Sequence, residues 1–177
     1  MRLFVGLDLP WPIREQFDRL DGSIPGARWV PEENLHLTLR FIGEVTPVEA
    51  EEIDLVLATL RGRAFTLTFT GVGTFAKGGR ETQLWIGVER NPALDHLQTK
   101  IETALQRAGL PPERRRFTPH VTLARLENAV PQKIAAFLQA HNLFRSDPVA
   151  FDHFTLFSSL LGKEAAVYTA EVDYKLD

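Results

Sequence analysis

His36-Leu37-Thr38-Leu39 and His120-Val121-Thr122-Leu123 are near copies of each other, set 84 positions apart. In a strand, residues i and i+2 project from the same face. Each copy therefore offers an imidazole and a hydroxyl on one surface, with aliphatic side chains turned away. Two such strands facing across a cleft would present two histidines and two threonines to one small anion. That set suits phosphodiester chemistry without a metal. A base must deprotonate the attacking hydroxyl and an acid must protonate the leaving oxygen. An imidazole with an ordinary pKa of about 6.5 serves either purpose near neutrality. Thr38 and Thr122, with an arginine, would stabilise charge on the equatorial oxygens. A cyclic phosphate whose neighbouring ribose oxygen leaves would fit so small and symmetric a site.

Either segment alone is a weak signal, because a strand histidine is usually structural and threonine is a good strand former. Recurrence of both residues at one spacing is what singles them out. A metal centre would want a third ligand, and Asp8, His96, His141 and His153 show no ligand-type spacing. No metal and no cofactor are expected. The chain has no cysteine, which excludes disulfides and thiolate catalysis. A net charge of −3 argues against coating long nucleic acid with a global basic field, but leaves room for recognising one RNA end. No apolar run reaches membrane-spanning length. The opening Met1-Arg2-Leu3-Phe4 enters a strand pattern rather than a signal peptide. The expectation is a cytoplasmic protein with no membrane partner.

The elements that must position these residues occur twice. Residues 3–9 alternate as a strand, and Pro10 and Pro12 open a helical pattern through Ile13, Phe17 and Leu20. A strand over 35–43 follows, and then Thr46-Pro47-Val48-Glu49, a capping-box pattern, starts a helix running to about Leu60. Residues 65–75 read as one strand and 77–80 as a mobile turn. The order then repeats. Residues 84–88 echo 3–7, Asn91-Pro92 cap a helix over 93–108, and the second histidine strand spans 117–126. Pro131 opens another helix, 150–159 echo 64–73, and 151–161 with 165–176 form a hairpin turning at Gly162-Lys163. Three echoes in one order, at offsets of 81 to 86, indicate an internal duplication. The expected fold is α+β and bilobal: a pseudo-two-fold duplicated unit of antiparallel sheets, helices outside, with a central cleft. Residues 1–177 are expected to form a single domain.

Strict alternation puts His36, Thr38 and Arg40 on one face, and Leu37, Leu39 and Phe41 on the other. On the second strand Val121 and Leu123 oppose His120 and Thr122. Phe4 with Gly6, and Trp85 with Gly87, fall on the polar faces of their strands. An aromatic ring with glycine beside it is a shelf for a nucleobase, a contact of about 1–3 kcal/mol. Alternatively, both rings pack in the core between the lobes.

Trp29-Val30 leading into Asn34-Leu35-His36-Leu37-Thr38-Leu39-Arg40-Phe41-Ile42-Gly43, with Phe117-Thr118-Pro119-His120-Val121-Thr122-Leu123-Ala124-Arg125, resembles the 2H phosphoesterase superfamily. Within it the chain looks most like the RNA 2′,3′-cyclic phosphodiesterases, also called 2′-5′ RNA ligases. Arg2-Leu3-Phe4 and Asp8-Leu9-Pro10 extend the match. The resemblance implies metal-independent hydrolysis of a terminal 2′,3′-cyclic phosphate on RNA to a 2′-phosphomonoester. His36 and His120 would be the catalytic pair, Thr38 and Thr122 would bind the phosphate, Arg125 would hold a phosphate oxygen, and Phe4 would stack on the terminal base. His36 would act as acid and His120 as base. Strict alternation, however, turns Arg125 away from His120. Either the strand twists, bulges or ends near Ala124, or Arg40 shares the phosphate role. The expected partner is an RNA 3′ end bearing a cyclic phosphate, tRNA halves among them, and the expected protein is a monomer. Arg114-Arg115-Arg116 reads as a solvated loop or as a contact to RNA backbone. Two other functions fit the motifs: reversible 2′-5′ ligation of tRNA halves, and a non-catalytic module that binds RNA ends.

Overall fold

Leu3, Val5 and Leu7 are at most 2% exposed, so the strand that carries them, β1 (Arg2–Asp8), belongs to the interior of a sheet. The structure, a computed structural model, describes residues 1–20 and 22–177. After β1 come α1 (Trp11–Asp18), β2 (Ala27–Trp29), a 3₁₀ turn (Glu32–Asn34), β3 (His36–Glu44) and α2 (Pro47–Ala58). Next are β4 (Phe65–Leu67), β5 (Phe69–Lys77), β6 (Arg80–Val88) and α3 (Pro92–Arg107). The chain ends with β7 (His120–Leu126), α4 (Pro131–His141), β8 (Val149–Phe151), β9 (His153–Leu160) and β10 (Val167–Lys175).

Local chemistry sets the helix starts. The Thr46 hydroxyl accepts the Glu49 N–H at 3.2 Å, and Glu49 Oε1 accepts the Thr46 N–H at 3.1 Å, which completes the capping box ahead of α2. The Asn91 side chain accepts the Leu94 N–H at 3.1 Å and starts α3. Ile53 and Leu57 of α2, Leu94, Ile101 and Leu105 of α3, and Ile134 and Phe137 of α4 enter one core with the apolar sheet face. Strand β7 starts only at His120, because Pro119 has no N–H to give a ladder.

The main sheet is antiparallel, in the order β10-β9-β1-β3-β7-β6-β5, with β2 alongside β7. The duplicated order is present as β1-α1-β3-α2-β4/β5 and β6-α3-β7-α4-β8/β9. In space the repeats exchange their last strands: β5 pairs with β6 of the second repeat, and β9 with β1 of the first. The expected 65–75 and 150–159 strands are each two strands, broken at Thr68 and Asp152. Their first pieces, β4 and β8, leave the main sheet and pair with each other. The expected turn at residues 77–80 is the tight hairpin connection between β5 and β6. Gly78 and Gly79 have φ of 61° and 77°, the double positive φ that a two-residue turn between twisted strands requires.

The two halves of the sheet meet through one residue pair, Leu37 with Val121. Thr38 pairs with Gly6 and Arg40 with Val5, so Leu39 is a bulge; Thr122 pairs with Trp85 and Ala124 with Leu84, so Leu123 is the equivalent bulge. Each bulge reverses the alternation beyond it. Arg125 is therefore exposed on the histidine face, while Ala124 is buried. The same reversal overturns the expected placement of Arg40 and Phe41. Phe41 is 66% exposed, and Arg40 is buried on the helix side. There its guanidinium bonds Glu102 at 2.8 and 3.2 Å, the Pro111 carbonyl at 2.5 Å and the Phe41 carbonyl at 2.6 Å. Arg40 is thus turned away from the face that carries His36 and Arg125. Burial works against the Glu102 carboxylate, but Arg40, the Glu113 N–H and Gln106 outweigh it and hold the carboxyl below its usual range.

Glu102→Gln would leave a buried guanidinium without its counter-charge. The expected loss of stability is about 3 kcal/mol, read from urea unfolding midpoints. Turnover per folded molecule should stay at the wild-type level.

Candidate active site

The bulges leave a short regular stretch on each strand at the join. Leu37 and Val121 are both fully buried, so the residues flanking each must face the other way. His36, Thr38, His120 and Thr122 are accordingly half-buried on the open face. The antiparallel register at Leu37–Val121 sets His36 on the side of Thr122 and Thr38 on the side of His120. All four sequence-derived residues surround the pseudo-two-fold axis.

Both imidazoles are anchored in the same way. His36 Nδ1 lies 2.7 Å from the Asn34 carbonyl oxygen, and His120 Nδ1 lies 2.7 Å from that of Thr118. A carbonyl only accepts, so Nδ1 is the protonated nitrogen in each neutral ring, and Nε2 keeps its lone pair. His36 Nε2 accepts the Thr38 hydroxyl at 2.8 Å. The Thr122 hydroxyl donates to Gln83 Oε1 at 3.4 Å.

The walls differ. His36 packs on Phe4 at 4.8 Å and meets the edge of Tyr168 at 5.2 Å. Phe4 is itself stacked on Phe157 at 5.0 Å and is only 4% exposed; the exposed ring nearby is Phe41, 6.2 Å from it. His120 instead meets Phe75 edge-on at 4.8 Å, with Trp85 at 6.4 Å. Trp85 is the counterpart of Phe4, and its cross-strand partner is Gly73 rather than a phenylalanine. A Cβ on Gly73 would lie 2.4 Å from the indole, so the larger ring requires glycine there.

Burial is the main cause that lowers the His36 pKa; the Asn34 carbonyl opposes it, while the positive charges of Arg14 and His120 add to it. Burial likewise lowers the His120 pKa against the Thr118 carbonyl. His36 thus feels the charge of His120 across the join. Arg14 also has a mechanical part. Its nearly buried guanidinium bonds Asp8 and donates to the carbonyls of Leu9 at 2.6 Å, Glu32 at 3.1 Å and Glu33 at 2.9 Å. It thereby clamps the 3₁₀ turn whose last residue, Asn34, holds His36.

Sequence reasoning missed Arg14, Gln83 and Tyr168 as neighbours of the site. His141 lies away from it against Phe137 at 4.5 Å, and His153 beside Asp152 at 2.6 Å. Arg114, Arg115 and Arg116 are exposed in the loop before β7. Among the described residues, no group of three or more His, Asp or Glu is placed to hold a metal ion. No helix among the described residues is long and apolar enough to cross a membrane.

Two His-x-Thr strands brought together on the pseudo-two-fold axis of a duplicated α+β fold are the arrangement of a two-histidine phosphoesterase. Comparison with known proteins agrees. The family model for the 2′-5′ RNA ligase superfamily matches residues 9–163. An RNA 2′,3′-cyclic phosphodiesterase of Thermotoga maritima is 31% identical over 174 residues, 95% of this chain and 91% of that protein. One from Aeropyrum pernix is 41% identical over 101 residues, 56% of this chain and 57% of its own length. The crystal structure of Escherichia coli LigT complexed with 3′-AMP superposes with a TM-score of 0.80 at 29% identity, covering 99% of this chain and 97% of that one. This chain belongs to the 2′-5′ RNA ligase superfamily, the 2H phosphoesterases.

The lowered histidine pKa values have a consequence for stability. Between the folded values and about pH 6.5, the unfolded chain binds more protons than the folded one. Their contribution is therefore complete above about pH 6.5, is lost as pH falls through the folded values, and then levels off. Urea midpoints measured from about pH 4 to pH 8 should show this slope, and replacing His36 and His120 by phenylalanine should reduce it.

Proposed function

We propose that this protein hydrolyses the terminal 2′,3′-cyclic phosphate of RNA to a 2′-phosphomonoester, by acid–base catalysis shared between His36 and His120 and without a metal. The observation that carries this reading is the matched pair of imidazoles. Each is oriented by one backbone carbonyl through Nδ1, leaving Nε2 for proton transfer.

In the reaction, His120 Nε2 takes a proton from water as the water oxygen bonds to phosphorus. The P–O3′ bond breaks, and His36 Nε2–H gives its proton to O3′. The 2′-phosphate and a free 3′-hydroxyl result. His120 suits the base because its Nε2 has no protein partner among the described residues. His36 suits the acid although burial lowers its pKa in the free protein, because an anionic phosphate beside it favours the charged ring. Thr38 and Thr122 donate to the phosphate oxygens, and Arg125 holds one of them. Phe4 supports the terminal base from beneath its cluster with Phe157 and Tyr168. Residues 1–177 work as one domain whose halves share the cleft. The protein acts as a monomer on RNA ends in the cytoplasm, tRNA halves included.

A chain terminated by a 2′,3′-cyclic phosphate, followed by phosphorus NMR, tests this. The product should be the 2′-phosphate, at a rate indifferent to a chelator. His36→Ala and His120→Ala should each lower kcat/KM by about 10²–10⁴. A 3′-phosphate product, a need for added divalent ion, or near-normal rates in either variant would contradict the reading.

A further inference from the structure

On the reading above the histidine pair takes one phosphate, and a groove of about 750 Å³ lies beside it, within the size range of ligand sites. It begins at Asn34, Phe4 and Tyr168, the last two of which touch the His36 ring. One wall is β2 with the residues after it, and the other is the turn between β9 and β10. Phe41 also lines it.

The lining has a definite electrostatic sense. Among the described residues, Arg2, Arg28, Arg125 and Lys163 line the groove against only Glu44 and Glu164, on a chain whose net charge is −3. Glu44 is already engaged by the terminal ammonium of Met1 at 3.1 Å. Arg28 and Arg125 stand directly opposite each other in the β2–β7 register. Both are exposed, and among the described residues neither has a carboxylate within ion-pair distance. Like charges opposed across two strands disfavour the fold. An RNA end with its terminal phosphate at Arg125 and the next phosphodiester at Arg28 offsets that repulsion and gains a charge-assisted contact at each. Phe41, 66% exposed, adds a bare aromatic face to the same groove. Cations interleaved with a free ring match a single nucleic-acid strand, in which every phosphate is followed by a flat base, better than an acidic peptide, whose charged side chains carry no ring.

We propose that this groove is a second nucleotide subsite, in which Arg28 contacts the phosphodiester immediately upstream of the terminal nucleotide and Phe41 stacks on a base. The proposal rests on the RNA-end reading above and narrows it: the substrate is an oligonucleotide end, not a cyclic mononucleotide. The mononucleotide fills only the histidine site and leaves Arg28 and Phe41 idle.

The test compares kcat/KM for a 2′,3′-cyclic mononucleotide and for a tetranucleotide ending in the same group. The wild type should prefer the tetranucleotide by about a hundredfold, with about tenfold from one stacked base and about tenfold from one charge-assisted phosphate contact. Arg28→Ala and Phe41→Ala should each remove about tenfold of that preference through KM, leaving the mononucleotide within about twofold of wild type. In Arg28→Ala the slope of log KM against log salt for the tetranucleotide should fall by about 0.7, the single-strand value for one phosphate contact. Equal wild-type rates on both substrates, or variants that lose activity equally on both, would overturn the subsite while leaving the phosphodiesterase reading in place. Absence of turnover on either substrate by wild type would overturn both.

Discussion

Leu37 and Val121 pair across the centre of the sheet, and no neighbouring residues extend that ladder. Both side chains are fully buried, which turns the histidine and threonine on each strand toward the opposite face. A continuous ladder would bring opposing Cβ atoms to about 4.5–5.5 Å and leave no space for a phosphate between them. One pair joins the halves and still lets the strands part. β2 takes over the inner edge of β7 from Ala124 to Leu126, and Gln98 of α3 reaches the Leu39 carbonyl at 3.4 Å. The cleft is a consequence of ending the ladder after one residue, and the bulges at Leu39 and Leu123 follow closely on each side.

The duplication supplies the symmetric part of the site, and single residues break the symmetry. Asn34 and Thr118 carbonyls anchor equivalent rings at the same 2.7 Å distance. Beyond that, the sides diverge. His36 is backed by a phenylalanine cluster and a turn clamped by Arg14, whereas His120 follows an exposed loop. Phe41 and Arg125 occupy equivalent places after equivalent bulges, one apolar and one cationic. Phe157 and Gly73 face Phe4 and Trp85, respectively. These differences make the two sides of the cleft unlike, and give a direction to an asymmetric ligand.

Much of the arrangement is legible in the residues themselves. The His-x-Thr repeat, the Thr46–Glu49 capping box and the Asn91 cap depend on contacts within a few residues, and pattern reading finds them. The slip in β7 has a trace as well. Val121, Leu123, Ala124 and Leu126 are apolar, and the adjacent Leu123-Ala124 marks where alternation changes phase. In β3 the trace misleads, because Arg40 is buried and Phe41 exposed, against the preference of both side chains. Arg40 is stable inside only because Glu102, 62 positions away, supplies its charge. Tyr168 and the exchange of last strands between repeats are likewise long-range results that no local pattern announces. The breaks at Thr68 and Asp152 exist because β4 and β8 find each other.

The central claim is that both Nε2 atoms address one bound phosphorus. Long-range proton–nitrogen NMR of the imidazoles, recorded while a nucleoside 2′-phosphate is added, tests it most directly. The prediction is that free protein shows the Nδ1–H tautomer for His36 and His120, and that both rings shift together along a single binding curve. Movement of one ring alone, or of the two at separate ligand concentrations, would contradict it.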